Sequence, residues 1–118
     1  MTDRTDPVLP AERVDAIFEA LCDRRRRAIL RCLREGDGGW MALVEVVERL
    51  LAEPGVASSL DRERLVVDLY HVQVPKLVAC DVVGRDRSAD AIRYDAPPLV
   101  DHLLAGESEW ADTRSDVT

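Results

Sequence analysis

Arg62, Arg64, His71, Gln73, Lys76, Arg85, Arg87 and Arg93 are the side chains with the most chemistry to offer, and all lie in the second half of a 118-residue chain. Guanidinium and ammonium groups donate charge-assisted hydrogen bonds to phosphate oxygens, or to the O6 and N7 acceptors of guanine. A glutamine amide can meet adenine at N6 and N7. Catalytic constellations are missing by contrast. No Gly-rich phosphate loop, G-x-S-x-G or H-E-x-x-H occurs, and the serines have no neighbouring base in a recognisable pattern, so we expect no enzyme. Cys22, Cys32 and Cys80 form an odd set without a C-x-x-C pair, and His71 and His102 stand alone. That predicts inert buried thiols, with no disulfide framework, metal site or cofactor.

The elements that must position these groups can be read from periodicity. Residues 61–79 read as one helix with a broad inward face, on which Leu65, Leu69 and Val72 sit at one spacing and Val66, Tyr70, Val74 and Leu77 at an adjacent one. Arg62, Arg64, Asp68, His71, Gln73 and Lys76 remain for the polar face. Pro75 lacks a backbone donor, so the helix should kink or restart near Val74, and Cys80-Asp81 should close it. Val82–Arg85 and Ala91–Tyr94 read as two strands around a polar tip, Asp86 to Asp90, a wing at about 82–94 that carries Arg85, Arg87 and Arg93. A helix feeding a charged hairpin is the C-terminal half of a winged helix. The expected fold is mainly α with a small β-hairpin, a winged helix-turn-helix.

Upstream, a first helix is expected over Ala11–Cys22, with Val14, Ile17, Phe18 and Leu21 on one face. Asp23 should cap a second, Arg24–Glu35, that turns Ala28, Ile29, Cys32 and Leu33 inward. Its Arg24–Arg27 run points in all directions and suits a structural or helix-end role, paired with Asp23, Glu19 or Glu35. A third helix is expected from Trp40 to Ala52, broken by Glu53-Pro54-Gly55, and Ser58, Ser59 and Asp61 are alternative caps for the fourth. Pro97-Pro98 should open a last short helix with Leu99, Leu103 and Leu104 apolar. Residues 1–10 then form a flexible arm, 11–106 the domain and 107–118 a polar tail.

Lys+Arg 16 against Asp+Glu 23 leaves a net charge of −7, which by itself speaks against nucleic acid. Yet 15 of the cations are Arg and only Lys76 is Lys, while 14 Asp exceed 9 Glu, a bias that resembles proteins from salt-loving archaea. At molar salt the Debye length falls to about 3 Å, so repulsion between an acidic body and phosphates disappears beyond the first contacts. No run of apolar residues suits a membrane span or a signal segment, and a cytoplasmic location is expected.

Asp23 to Leu33, then Leu69-Tyr70-His71-Val72-Gln73-Val74-Pro75-Lys76-Leu77, then Asp81-Val82-Val83 resemble the ArsR-like winged helix-turn-helix domains of halophilic archaea, over residues 13 to 104. Two positions depart from that pattern: Gln73 where a second His is frequent, and Cys80-Asp81 where an Ala-Gly turn is usual. The resemblance implies a DNA-binding transcriptional regulator. Helix 61–79 would lie in the major groove of double-stranded DNA, Gln73 reading base edges and the wing arginines meeting phosphates. The alternative is a winged helix used for protein interaction or dimerisation without DNA. The apolar stripes of the first and last helices suggest a homodimer in either case.

Overall fold

Residues 9–53 and 61–106 are described in the computed structural model. The expected arm up to residue 8, the Pro54-Gly55 breaker, Ser58, Ser59 and the polar tail 107–118 lie outside them. Leu9, at the end of the expected arm, packs against the core.

Helix α1 spans Ala11–Ala20 and stops short of the expected Cys22. Ile17 and Leu21 turn into the core, whereas Phe18, expected beside them, faces out at 48% exposure. Asp23 caps helix α2, Arg24–Glu35, accepting hydrogen bonds from the backbone N–H groups of Arg25 and Arg26 at 2.7 and 3.2 Å. Ala28, Ile29, Leu30, Cys32 and Leu33 are buried along it.

The third helix does not begin at Trp40. Met41–Ala42 form strand β1, and α3 runs over Leu43–Ala52 with Leu43, Val46, Val47 and Leu50 buried. Met and Ala are good helix formers, and strand pairing overrides that propensity here. Met41 lies opposite Ile92, and the Leu43 N–H continues the ladder by donating to the Asp90 carbonyl at 2.9 Å.

The long helix 62–79 comes in three parts: α4 over Arg62–Asp68, a π turn over Leu69–Gln73, and α5 over Val74–Ala79. Asp61 caps it, accepting from the Arg64 N–H at 2.8 Å. Pro75 accounts for the π turn. In an uninterrupted α-helix its ring would collide with the His71 carbonyl one turn earlier and leave that carbonyl without a donor. The widened turn, closed by the Val74 N–H on the Leu69 carbonyl, spreads the backbone at that point. One residue is thereby inserted into the helical register. Leu65 and Leu69 are followed inward by Gln73 and Val74, then Leu77, and Val72 is pushed out. The restart at Val74 agrees with the sequence; the inward Val72 and outward Gln73 expected from α-periodicity are corrected by the inserted residue.

Asp81 ends the helix in the left-handed region, φ 61°. Its N–H bonds to the Val78 carbonyl at 3.0 Å and that of Val82 to the Leu77 carbonyl at 3.2 Å, a Schellman closure sealed by the buried Leu77 and Val82 side chains. Strands β2 (Val83–Asp86) and β3 (Ala91–Tyr94) form the hairpin, and the antiparallel sheet has the order β1-β3-β2. A final helix, α6, follows over 98–106, burying Val100 and Leu104. The succession α2, β1, α3, helix 62–79, β2, β3 around one aliphatic core is a winged helix, mainly α with a small hairpin. No helix among the described residues is long and apolar enough to cross a membrane.

Candidate nucleic-acid interface

Helix 62–79 and the hairpin present one shared face. An open groove of about 780 Å³ runs between them, with Tyr70, Val74, Pro75 and Val78 on the helix side and Arg85, Arg87 and Ser88 on the wing side. Trp40 also lines it, its ring beside Gly84, and the Arg93 guanidinium stacks on that ring 4.7 Å from the centroid. Gly84 and Arg93 are cross-strand partners, which explains why both meet the same indole.

The wing is bound to the helix by a specific latch. The Tyr70 hydroxyl donates to Asp90, and Arg85 donates to the other oxygen of the same carboxylate at 3.1 Å, its guanidinium 6.0 Å from the Tyr70 centroid. The hydrogen bond to Asp90 holds the Tyr70 phenol above its ordinary value of 10.0, and the same bond holds the Asp90 carboxyl below its ordinary 3.8. Asp90 sits at φ 52°, a conformation Asp tolerates better than most residues. Asp86 organises the tip, accepting from the Ala89 N–H at 3.2 Å and from the Ser88 N–H and hydroxyl at 3.1 and 2.9 Å. The Ala89 bond foremost, then Ser88, lowers its carboxyl below 3.8. These bonds hold the loop that carries Arg87 outward.

The sequence-expected contacts divide clearly. Arg64, His71, Lys76 and Arg87 are exposed, and Arg64, Lys76 and Arg87 make no ion pair among the described residues. Arg93 is exposed but stacked on Trp40. Arg62 pairs with Glu48 of α3, and Arg85 is committed to Asp90. Gln73 is not part of this face. It is 3% exposed, accepts from Arg26 Nη1 at 3.0 Å and donates to Asp68 at 3.0 Å, so its amide cannot reach a base edge.

That burial gives the Arg24–Arg27 run its role. Arg26 is buried and also donates from Nε to the Ala20 carbonyl at 2.6 Å; Arg25 pairs with Asp68 at 3.3 Å; Arg27 donates to the Leu21 carbonyl at 2.7 Å. Arg25 and Arg26 thus brace the π turn instead of pairing with Glu19 or Glu35, and the Asp23 carboxylate accepts from backbone N–H groups. Asp68, a negative charge near the candidate face, is compensated by Arg25 and Gln73.

The thiols are free: Cys32 and Cys80 are buried, and burial raises both above the ordinary 9.0, which keeps them protonated and unreactive. Cys22, expected inside, is exposed. Among the described residues no three His, Cys, Asp or Glu side chains converge as metal ligands. Trp40, Tyr70, Asp86 and Asp90 shape the face yet escape a reading based on cations. Asp86 and Asp90 could have been found from their place at the two corners of the hairpin; Trp40 and Tyr70 carried no such signal.

Fold and face together define a winged-helix protein with a joined helix and wing. The chain belongs to the family described as a domain of unknown function, DUF7344, whose model matches residues 18–93, from the end of α1 into β3. No curated protein and no solved structure matches it.

Proposed function

We propose that this protein is a DNA-binding transcriptional regulator of the ArsR-like winged-helix type, working in a cytoplasm of high salt. The observation that carries the reading is that the helix exposes Arg64 and Lys76, the latter on its side toward α1, and the adjoining wing exposes Arg87, none of them in an ion pair among the described residues, while Asp68, Asp86 and Asp90 are each hydrogen-bonded. Helix 62–79 enters the major groove, and Arg87 at the wing tip meets phosphate. The net charge of −7 is tolerable because molar salt confines electrostatics to about 3 Å, the range of direct contacts. Counterion release contributes little under those conditions, so affinity rests on close contacts and shape.

The second reading, a winged helix that binds protein, draws on Phe18, exposed on α1, and on the ion pairs that occupy Arg62 and Arg85. Ile17, Leu21 and Leu104 are used in the chain's own core, so a homodimer through α1 and α6 would rest on Phe18 with the half-buried Val14, Leu99 and Leu103. Sedimentation at molar salt tests the dimer; a 13.2 kDa species alone excludes it. Capture of genomic fragments from the source organism at molar KCl tests the regulator. Enrichment of a few discrete loci supports it, and uniform recovery or none opposes it.

A further inference from the structure

Resting on the DNA-binding reading, the exposed side of helix 62–79 carries information about which bases it meets. Its fully exposed positions past the first turn are chiefly apolar: Val67 at 53%, Val72 at 39% and Val78 at 36% exposure, with Pro75 between them, His71 and Lys76 as exposed polar neighbours and Asp68 part-buried beside Val67. Single exposed valines are unremarkable on a surface. Three on one helix are a pattern, Val67 and Val72 toward its outer side and Val78 at the edge that lines the groove to the wing, and the π turn is what adds Val72 to it while removing Gln73.

The floor of the major groove offers hydrogen-bond acceptors, donors and one apolar group, the C5-methyl of thymine. A branched apolar side chain pressed against a donor or acceptor edge strips its water and returns no bond. Against a thymine methyl it buries apolar surface on both partners. With Gln73 turned inward, this helix has no outward amide for the bidentate adenine contact. We infer that the protein recognises thymine-containing sites through the methyl groups, read by Val67, Val72 and Val78, with His71 and Lys76 supplying donors to flanking guanines.

The test uses the full chain and a duplex selected by it from a random library at molar KCl. Replacing every thymidine of that duplex by deoxyuridine removes only the methyls. Each lost methyl contact should weaken binding roughly fourfold, so a site with two or more should lose about tenfold or more. Replacing Val67, Val72 and Val78 by Ala should shrink the thymine-to-uracil ratio toward one. Should the triple variant unfold, each single Val→Ala change is expected to lower the ratio by its own share. Equal affinity for the two duplexes overturns the inference while leaving DNA binding intact. A ratio unchanged in all valine variants does the same, because the methyls would then act through duplex shape. Selection that enriches no duplex overturns the DNA-binding reading itself, and leaves the valine face to a protein partner.

Discussion

Replacing Gln73 by Leu should destabilise the domain far more than a surface substitution and leave its sequence preference untouched. The side chain links Arg26 to Asp68 at 3.0 Å on each side, inside the protein. Leucine is similar in bulk, so cavity formation is minor and the cost is polar. Arg26 would lose a charge-assisted acceptor in a buried site, about 1.5–3 kcal/mol. Asp68 keeps Arg25 and part of its solvation, so its loss is about 0.5–1 kcal/mol. Burial of the added apolar surface returns up to about 1 kcal/mol. The net is about 1–4 kcal/mol, a large share of the roughly 5–15 kcal/mol that holds a domain of this size. Urea unfolding of the purified protein at molar KCl reads the change directly. Arg26→Met combined with Gln73→Leu removes both partners, and this double change should cost at least about 1 kcal/mol less than the sum of the two single ones. A loss below about 0.5 kcal/mol for Gln73→Leu, or strict additivity, would refute the view that Arg26 and Gln73 brace the π turn as a unit.

Asp81→Gly should raise stability by about 1 kcal/mol, read as a higher melting temperature, because glycine adopts φ 61° without the steric cost of a Cβ. Tyr70 should ionise above 10.0 in an ultraviolet titration, and Asp90→Asn should bring it back toward that value; Tyr94, held higher still by burial and by its bond to Asp101, should not interfere. A raised phenol pKa means that the latch contributes fully below pH 10.0 and fades as pH climbs past the folded value. The lowered Asp86 gives the opposite sign, with the wing tip intact above 3.8 and loosening in stronger acid, visible as loss of amide exchange protection at Ser88 and Ala89. Arg87→Ala should weaken binding to all duplexes alike, whereas His71→Ala should change which are preferred; equal effects on chosen and random duplexes would contradict the roles assigned to them.

Much of the fold was legible because aliphatic periodicity and caps speak plainly in this chain. Asp23 capping Arg24–Glu35, the strands flanking the wing and the restart at Val74 all follow from local chemistry. Strand β1 did not, since two residues of good helix formers become a strand only through a partner more than forty positions away. The candidate face was misread at one point, and one cause covers it. Pro75 announces a break, but periodicity cannot say whether the chain kinks or inserts a residue, and insertion exchanges the environments of Val72 and Gln73. Arg26 was illegible for a related reason: its side-chain acceptor, Gln73, lies 47 positions further along the chain.

Amide chemical-shift mapping of the isotope-labelled protein, titrated at molar KCl with the most enriched genomic duplex, asks most directly which surface is used. Perturbations should concentrate in residues 62–79 and 84–90, with Arg64, His71, Val72 and Arg87 among the largest. Shifts confined to α1 and α6, or none at saturating duplex with the protein folded, would contradict a DNA-reading role for the helix and wing.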